Sequence, residues 1–474
     1  MTSLMHLSNE LKLLIITNLA AVSPPSTITA EATTDYDDYE KSLDHLPHIP
    51  PHAAISQTLL ALSQTNAIFR SLLAPTIYAT LTLQNTVASG TAISKIAQGE
   101  NARFVKRIDY IAAVPLPPYD VLELEEVDNN PSAPKPSDFP ESVKHILSHL
   151  SLFPNLETVS IHFAAKLLSL QDNISNQDTL EDAEEILTAE SREGWRALMT
   201  STYTALAQNT PGVVKSLILR ELIMKESSAW ETVRWREFLG GLTKFDVSVR
   251  GWDNGAGWSI STFECYTDFW DNFDHYFFDH LTEITHLSIA ANEDGPAGTG
   301  GGYTGPLSFK RHHMPHLHTI VLDYVLVGET VVTLLATHAK TLRSLHLKHA
   351  YAPRAWWFAD LSWSGFFSSL LATTPLFPNL TSCVIETTLA DWEVLAEADA
   401  VEKGETTGRA EGLEKELLYI EFSDKYGSIC TDADWRKFEP DRAEKKARDW
   451  EAYERFLQVV EGNKKVMAGD HVSN

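Results

Sequence analysis

The sequence predicts an α/β protein in which N-terminal helices are followed by an irregular solenoid of parallel strands with outer helices. Three observations predict this fold class. A short apolar pattern recurs along the chain, helical patterns separate its copies, and two amphipathic stretches come before them. The chain accordingly divides into a helical region at 1–83, a repeat region at 84–462 and a frayed tail at 463–474.

The first amphipathic stretch reads LSNELKLLIITNLA, from Leu7 to Ala20, and has a broad apolar face. Burying a large apolar side chain contributes about 1.5–3 kcal/mol, so a helix this apolar needs a surface that covers it. The apolar residues at or near helical spacing are Leu7, Leu11, Leu14, Ile15 and Leu19.

A polar insert separates the two amphipathic stretches, and we expect it to be disordered over about 21–54 because it combines prolines, threonines and the acidic run DYDDYE. The helical pattern then resumes and predicts a helix at Thr58–Leu72. Pro75 is expected to end that helix or to open a further short one. The alternation in YATLTL predicts a strand at Tyr78–Leu83.

Eight later segments share the form apolar-x-x-apolar-x-apolar. The last two apolar side chains of each segment are expected to face the core of a strand–helix unit, and the residue between them to face outward. One unit cannot bury its own apolar face, so the units are expected to stack into a parallel sheet. The segments are VKRIDY from Val105, LETVSI from Leu156, VKSLIL from Val214, LTKFDV from Leu242, ITHLSI from Ile284, LHTIVL from Leu317, LRSLHL from Leu342 and LTSCVI from Leu380.

Helical patterns lie between these segments, and a longer one at Arg442–Glu461 is expected to cap the last unit through an aromatic face. The phrase LFPNL precedes two segments, at Leu152–Leu156 and Leu376–Leu380. The predicted internal helices are Glu141–Leu152, Arg192–Asn209, Thr330–Lys340 and Leu361–Thr373.

The two N-terminal stretches together resemble the F-box motif as it is found in fungal proteins, and the segments after them look like degenerate leucine-rich repeats. The F-box pattern has Leu-Pro-x-Glu-Leu, an apolar helix ending in Leu, and then Leu-x-x-Leu followed by an aromatic–Arg pair. The sequence departs from it at Ser8, where Pro is usual, at Asn66, near a position often occupied by Cys, and in the long insert. The matching residues are Leu7, Glu10, Leu11, Ile15, Leu19, Leu59, Leu62, Phe69, Arg70 and Leu72.

The resemblance implies a substrate-recruiting subunit without catalytic residues of its own. An F-box is a small helical unit that docks on a Skp-type adaptor of a cullin–RING ubiquitin ligase, while the repeats recruit a protein substrate. The residues alone leave another reading open, a non-catalytic repeat scaffold whose N-terminal helices only cap the solenoid. The adaptor-binding residues that the resemblance implies are Leu7, Glu10, Leu11, Leu14, Ile15, Leu19, Leu59, Leu62 and Phe69.

Two segments contain histidines that could form a carboxylate–His site or a metal site. TDFWDNFDHYFFDHL would place Asp271, His275 and Asp279 on one helical face, although an amphipathic helix with inward aromatic side chains explains it better. RHHMPHLHTI has no Cys or carboxylate nearby in sequence, so ordinary loop histidines are favoured over a metal site. Its histidines are His312, His313, His316 and His318.

Two further segments bear on ligands. AGTGGGYTG lacks the Gly-Lys-Ser/Thr ending that binds nucleotide phosphates, so no nucleotide or other cofactor is expected. AYAPRAWWFADLSWSGFF crowds aromatic residues after a repeat strand, where Arg and aromatic side chains are typical binding anchors. The alternative is that these aromatics fill the repeat core. The candidate substrate-binding residues are Arg354, Trp356, Trp357 and Trp363.

Composition excludes other classes of function. The net charge of −26 disfavours nucleic acids and anionic membranes as partners. The longest apolar run, Leu13–Ile16, is far shorter than the ~20 residues of a membrane span. Cys265, Cys383 and Cys430 lie far apart, which disfavours a disulfide framework and favours the reducing cytoplasm or nucleus.

Overall fold

The computed structural model is an α/β fold in which strands and helices alternate along the chain. Leu7–Ala20, the polar insert and Leu59 lie outside the part of the chain that it describes. The described residues are 62–114, 139–165, 182–251, 264–292, 295–298, 305–310, 312–353, 362–386, 417–422, 429–431 and 442–469.

Fourteen strands are formed within the described residues, and nine of them make one sheet. The others form two small sheets of two and three strands. The strands are β1 Thr80–Gln84, β2 Arg107–Val114, β3 Thr158–Ala165, β4 Ser216–Leu222, β5 Lys244–Val249, β6 His286–Ala290, β7 Ala297–Gly298, β8 Gly305–Pro306, β9 Thr319–Asp323, β10 Ser344–Lys348, β11 Tyr351–Pro353, β12 Ser382–Glu386, β13 Leu418–Phe422 and β14 Ile429–Thr431.

The nine-stranded sheet confirms the predicted parallel stacking. Its strand order is β1-β2-β3-β4-β5-β6-β9-β10-β12, so the chain adds strands in one direction only. The eight aligned segments supply every strand except β1, and their aligned apolar residues are the residues that pair. Ile108 pairs with Val159, Leu287 with Ile320, and Leu345 with Cys383. The apolar pattern therefore predicted the register as well as the strands.

The predicted facing of the side chains is also confirmed. In β10, for example, Leu345 and Leu347 are buried while His346 between them is partly exposed. The inward side chains join helix residues in one continuous core cluster. Ser160 of β3 is the exception among the intervening residues, because it is 2% exposed.

Helices cover the inward face of the sheet, and neighbouring helices contact one another along the array. The four predicted internal helices are confirmed, with ends shifted by a few residues. The α-helices are α1 Ala67–Ile77, α2 Val87–Ala97, α3 Glu141–Ser148, α4 Ala183–Arg192, α5 Gly194–Leu206, α6 Val233–Gly240, α7 Glu264–Asp271, α8 Phe273–Tyr276, α9 Glu329–Thr337, α10 Trp363–Leu371 and α11 Arg442–Met467.

The two LFPNL phrases perform the same structural task. The Asn155 amide donates to the Arg103 carbonyl at 2.6 Å, and the Asn379 amide donates to the Lys340 carbonyl at 2.6 Å. Each phrase thus ties the turn before its strand to the preceding unit. The phenylalanine of each phrase is buried in the core.

The N-terminal helical region differs from the prediction in two places. The helical backbone breaks at Asn66, whose side-chain oxygen accepts from the Ile68 amide at 2.6 Å and so starts α1 as a new helix. Pro75 does not end this helix, which continues to Ile77. After α1, β1 joins the sheet beside β2, so the sheet begins at Thr80, before the predicted boundary at 84.

The C-terminal helix α11 packs against α10 and β12, as expected for a cap on the last unit. It continues to Met467 instead of ending at Glu461, so part of the expected frayed tail is helical. One reason is Asn463, whose amide donates to the Phe377 and Leu380 carbonyls at 2.7 and 3.0 Å. No helix in the described ranges is both long enough and apolar enough to cross a membrane.

Candidate binding face

The side of the sheet opposite the helices is a largely polar surface, which we call the open face; its apolar members include the exposed side chains of Ile111 and Val384. Its side chains are at least partly exposed, with Ser160 as the exception. Solenoids use such sheet surfaces for binding because the stacked units extend them over a long distance. The open face consists of Thr80, Thr82 and Gln84 of β1 and the residues in register with them on the other strands, among them Arg107, Asp109, His162, Arg220, Lys244, Asp246, His286, Ser288, Asp323, His346, Lys348 and Glu386.

Three residues at the carboxyl ends of the strands adopt left-handed backbone conformations. They are Glu221, Tyr324 and His349, with φ of 47°, 52° and 39°. For a residue other than glycine, such a conformation costs about 1–3 kcal/mol of free energy, and these conformations concentrate at functional sites. This edge of the open face is therefore a candidate contact region.

Glu221 links three neighbouring strands. Its carboxylate lies 3.3 Å from His162 Nε2 and 3.9 Å from Arg250 Nη1, and its backbone N–H donates to Ser248 Oγ at 2.9 Å. The hydrogen bond from His162 and the nearby cations lower the pKa of Glu221 despite its partial burial. The carboxylate is therefore ionised at neutral pH.

A second arrangement joins β9 and β10. His349 Nδ1 lies 2.6 Å from Asp323 Oδ1, and the His349 ring stacks on Tyr324 with centroids 4.4 Å apart and planes inclined by 11°. His346 of β10 has its Nε2 3.0 Å from Oε1 of Glu386 on the neighbouring strand β12. These pairs place hydrogen-bond donors and acceptors along the edge, where they can contact polar groups of a bound protein.

Two of the predicted adaptor-binding residues, Leu62 and Phe69, lie within the described residues. Phe69 is 4% exposed and forms a small apolar cluster with Leu73, and Leu62 and Ile77 pack against it. Helix α1 also contacts the 3-10 helix Glu100–Phe104 of the first unit. The other predicted residues lie outside the described part: Leu7, Glu10, Leu11, Leu14, Ile15, Leu19 and Leu59.

Trp363 corrects the prediction of a substrate-binding residue at that position. Its side chain is fully buried, with 0% exposed. The indole Nε1–H donates to the Leu418 carbonyl at 2.8 Å, and the ring stacks on Phe367 at 5.7 Å between centroids. The alternative of core packing is therefore correct for this residue. Arg354, Trp356 and Trp357 lie outside the described residues.

The histidine-rich segment meets a carboxylate that the sequence did not place there. His313 is buried and its Nε2 lies 2.7 Å from Asp279 Oδ1, while exposed His312 lies 3.4 Å from the same oxygen. The ligand atoms of these three residues lie within 4.8 Å of one another, as in a metal site. Lys310 completes the cluster, with its ammonium 3.1 Å from Asp279 and 2.8 Å from Asp274.

Lys310, His313, Asp274 and Asp279 form a cluster of ion pairs and hydrogen bonds, which we call the clasp. The Lys310 backbone N–H donates to His313 Nδ1 at 3.1 Å, so neutral His313 has its proton on Nε2 and donates it to Asp279. A metal would have to displace both that proton and the Lys310 ammonium. The clasp joins the loop before β9 to the segment after α8, and loop histidines with a structural contact remain the favoured interpretation.

Replacing Asp279 by asparagine is expected to lower the free energy of unfolding by about 1–2 kcal/mol at pH 7. Burial raises the pKa of Asp279, but hydrogen bonds from His313 and Lys310 outweigh it and lower the pKa to about 2. The stabilisation is complete above the unfolded value of about 3.9 and is lost as the pH falls toward 2. Urea unfolding measures it, with Glu237→Gln as an exposed control; equal stability of both variants would contradict the clasp.

Asp271 and His275 are not brought into this cluster. Helix α7 ends at Asp271 and α8 begins at Phe273, so the predicted single helical face does not exist. His275 instead lies 2.9 Å from Glu231 Oε1. The predicted inward packing of the aromatics is confirmed, because the side chains of Phe269, Trp270, Phe273, Phe277 and Phe278 are buried.

The described ends of the glycine-rich loop have a packing explanation. Gly298 and Gly305 belong to the paired strands β7 and β8. A Cβ at Gly305 would collide with the Trp270 indole, and one at Gly298 would collide with the Leu326 carbonyl. Glycine is required there because of these close approaches.

Comparison with known proteins leaves the function to be argued from the chain itself. The sequence matches no protein-family model and no curated protein.

Proposed function

We propose that this chain is a substrate-recruiting F-box subunit of a cullin–RING ubiquitin ligase. The N-terminal helices dock on a Skp-type adaptor, and the open face of the repeat array holds a target protein near the ubiquitin-loading machinery. The chain contributes no catalytic group, because its mechanism is proximity. The proposal places the protein in the cytoplasm or nucleus, where that ligase acts.

The main support is the open face and its position in the chain. A parallel sheet that adds strands in one direction, with helices on one side and polar side chains on the other, is the architecture of a repeat protein that binds through its sheet. It follows directly on the stretch that resembles the second half of an F-box. The combination of a docking motif and an extended binding face favours recruitment over catalysis.

The repeats are degenerate when compared with the leucine-rich pattern. That pattern places Asn or Cys three residues after the last apolar residue of the strand. Only Asn292 fits among the eight segments, while the equivalent residues of β4, β9 and β10 are Leu222, Val325 and Ala350. The repeat likeness therefore rests on the apolar register of the strands.

One observation favours the alternative of a scaffold with capping helices. Phe69 and Leu73 of α1 are buried, and α1 contacts the first unit of the array. A solenoid needs cover at its open end, and α1 provides some of it. In this second function the N-terminal helices stabilise the array and the open face alone binds partners.

A double substitution in the full-length chain separates the two functions. The Leu11→Asp/Ile15→Asp variant places two charges on the apolar stripe of the first helix, and we expect it to lose capture by an immobilised Skp-type adaptor that retains the wild-type chain. Desolvating two carboxylates at an apolar interface costs several kcal/mol, so the loss should exceed about hundredfold.

The control is Val233→Asp, which introduces a single carboxylate at an exposed apolar position on α6. It should bind the adaptor as the wild type does. If the double variant binds normally, or if the wild type does not bind, the ligase proposal fails. A double variant that melts at a much lower temperature than the wild type would instead support the capping function.

A further inference from the structure

The amino ends of the strands carry a charge opposite to that of the chain. The two residues after the first apolar residue of each aligned segment occupy this edge of the sheet, which we call the basic edge. Its sixteen residues comprise five cations, two histidines, eight serines or threonines, and only Glu157 as a carboxylate, although acidic residues outnumber basic ones 64 to 38 in the chain. The cations are Lys106, Arg107, Lys215, Lys244 and Arg343.

Backbone hydrogen bonds fix the order of these residues along the edge. The Lys106 carbonyl accepts from the amides of Glu157 and Thr158, and the Lys215 carbonyl accepts from the amides of Thr243 and Lys244, at 2.8–3.0 Å. The same pattern continues to Arg343, whose amide donates to the His318 carbonyl at 2.8 Å. The basic edge is therefore one continuous row across the sheet.

Most of these cations are available to a ligand. Arg107 is paired with Asp109 at 2.7 Å. Lys106, Lys215 and Lys244 are exposed and form no ion pair with a carboxylate of the described residues. Arg343 is likewise exposed. Burial lowers the pKa of His318, and the nearby Arg343 and His316 lower it further. Burial also lowers the pKa of His286, and the charge of Lys244 lowers it further.

The positive charge of this row persists in spite of the net charge of −26. Salt screens exposed charges beyond about 8 Å at physiological ionic strength, so a bound group senses mainly its nearest neighbours. The neighbouring serine and threonine hydroxyls, such as Thr158, Ser216 and Thr319, can donate hydrogen bonds to an anion. Cations interleaved with hydroxyls form a surface complementary to carboxylate or phosphate groups.

We infer that the basic edge binds an extended, anionic peptide segment of a partner protein. Strands lie about 4.8 Å apart, so the row from Lys106 on β2 to Lys244 on β5 spans about 14 Å, the length of about four extended residues. Alternate side chains of such a segment point to the same side and can contact Lys106, Lys215 and Lys244, a row in which Glu157 lies between the first two lysines. The anionic groups are aspartates and glutamates, or phosphorylated side chains with the same contacts.

This inference rests on the proposed function only in naming the bound segment as part of the recruited target. If the chain is instead a repeat scaffold, the basic edge would still bind an anionic peptide segment. Because the basic edge lies on the sheet and the adaptor is proposed to bind the N-terminal helices, the two contacts can be tested separately.

The test uses the full-length chain and fluorescein-labelled Gly/Ser peptides that carry glutamate, glutamine or phosphoserine at every second position. We expect the glutamate peptide, the phosphoserine peptide or both to bind in fluorescence anisotropy, and the glutamine peptide not to bind. The Lys106→Glu/Lys215→Glu/Lys244→Glu variant should weaken binding by about tenfold or more, because three attractive contacts become repulsive.

The matched control is Lys144→Glu/Lys464→Glu/Lys465→Glu, which makes the same change in net charge at exposed helix positions. It should change affinity by less than about twofold, since its charges lie on helices and not on the basic edge. Circular dichroism establishes that both variants are folded. Binding of the glutamate peptide alone identifies carboxylates as the recognised groups, and binding of the phosphoserine peptide alone identifies phosphates.

Three results would overturn the inference: neither anionic peptide binds the wild type, the glutamine peptide binds equally well, or both triple variants lose the same affinity. The triple variant of the basic edge should still bind the adaptor, and the Leu11→Asp/Ile15→Asp variant should still bind the peptide. A wild-type chain that binds the peptide but not the adaptor would reject the ligase proposal and leave the basic edge as a binding site.

Discussion

The Trp363→Ala variant is expected to lose about 3–5 kcal/mol of stability, localised at the C-terminal end of the array. Trp363 is fully buried, contacts Phe366 edge-on with ring centroids 5.9 Å apart, and stacks on Phe367. Truncation leaves a cavity and removes the donor from the Leu418 carbonyl. Both effects separate α10 from the segment that precedes α11.

The neighbouring hydrogen bonds explain why the loss should spread to α11. The Trp363 amide donates to the Tyr419 hydroxyl at 3.2 Å, and that hydroxyl donates to the buried Asp449 carboxylate at 2.7 Å. Asp449 also accepts from the Ser364 amide at 2.8 Å, at the first turn of α10. A displaced α10 therefore loses its polar contacts with the terminal helix as well as its apolar ones.

Hydrogen exchange provides the measurement, because the stability of a stacked array is a sum of local contributions. Amides of α10, β12 and α11 should exchange faster in Trp363→Ala, while those of α5 should change little. Trp363→Phe is the matched control; it keeps an aromatic ring, loses the Nε1–H, and should cost about 1–2 kcal/mol. Unchanged exchange at α10 in the alanine variant would mean that Trp363 is not a core residue.

His338 is expected to give the protein a pH-dependent stability between about pH 6.5 and pH 4. The side chain is 4% exposed at the end of α9. Burial lowers the pKa of His338 to about 4, and the nearby His313 adds to the effect. The unfolded chain takes up the proton near pH 6.5, whereas the folded chain resists it, so stability falls as the pH falls through this range.

The loss attributable to His338 amounts to about 3 kcal/mol at pH 4, from 1.36 kcal/mol for each unit of difference in pKa. His338→Gln removes the titrating group. The measurement is the difference in free energy of unfolding between pH 7 and pH 4.5, which should be smaller in this variant than in the wild type. The exposed His316→Gln variant is the control and should keep the wild-type difference; an unchanged pH dependence in His338→Gln would contradict burial of the neutral ring.

The sheet was predictable because its constraint is local and repeated. Leu345 and Leu347 lie two residues apart in sequence and on the same side of a strand, and the same spacing recurs in all eight segments. A shift of one residue would expose every such pair, so the alignment of the apolar pattern also defines the register. The termini of the array were less predictable, because α11 continues past Glu461 through a contact of Asn463 with distant carbonyls.

The contacts that decide the site residues join distant parts of the chain. Asp279 meets His313, 34 residues away, and the sequence of either segment gives no sign of the other. Trp363 belongs to an aromatic-rich segment whose composition suits a binding surface and a core equally well. Its burial depends on Leu418 and Asp449, which lie beyond a long insertion. The helix break at Asn66 was not predicted, although Asn is a residue type that favours the N-cap position.

The strand order has a consequence for how the protein is made. Each strand from β2 to β5 pairs only with strands that immediately precede or follow it in the sequence. During synthesis, therefore, the sheet can grow strand by strand as the chain leaves the ribosome, without waiting for distant segments. A polypeptide cut short before α11 would therefore keep its early strands but lack the helix that packs against α10 and β12 at the far end of the sheet.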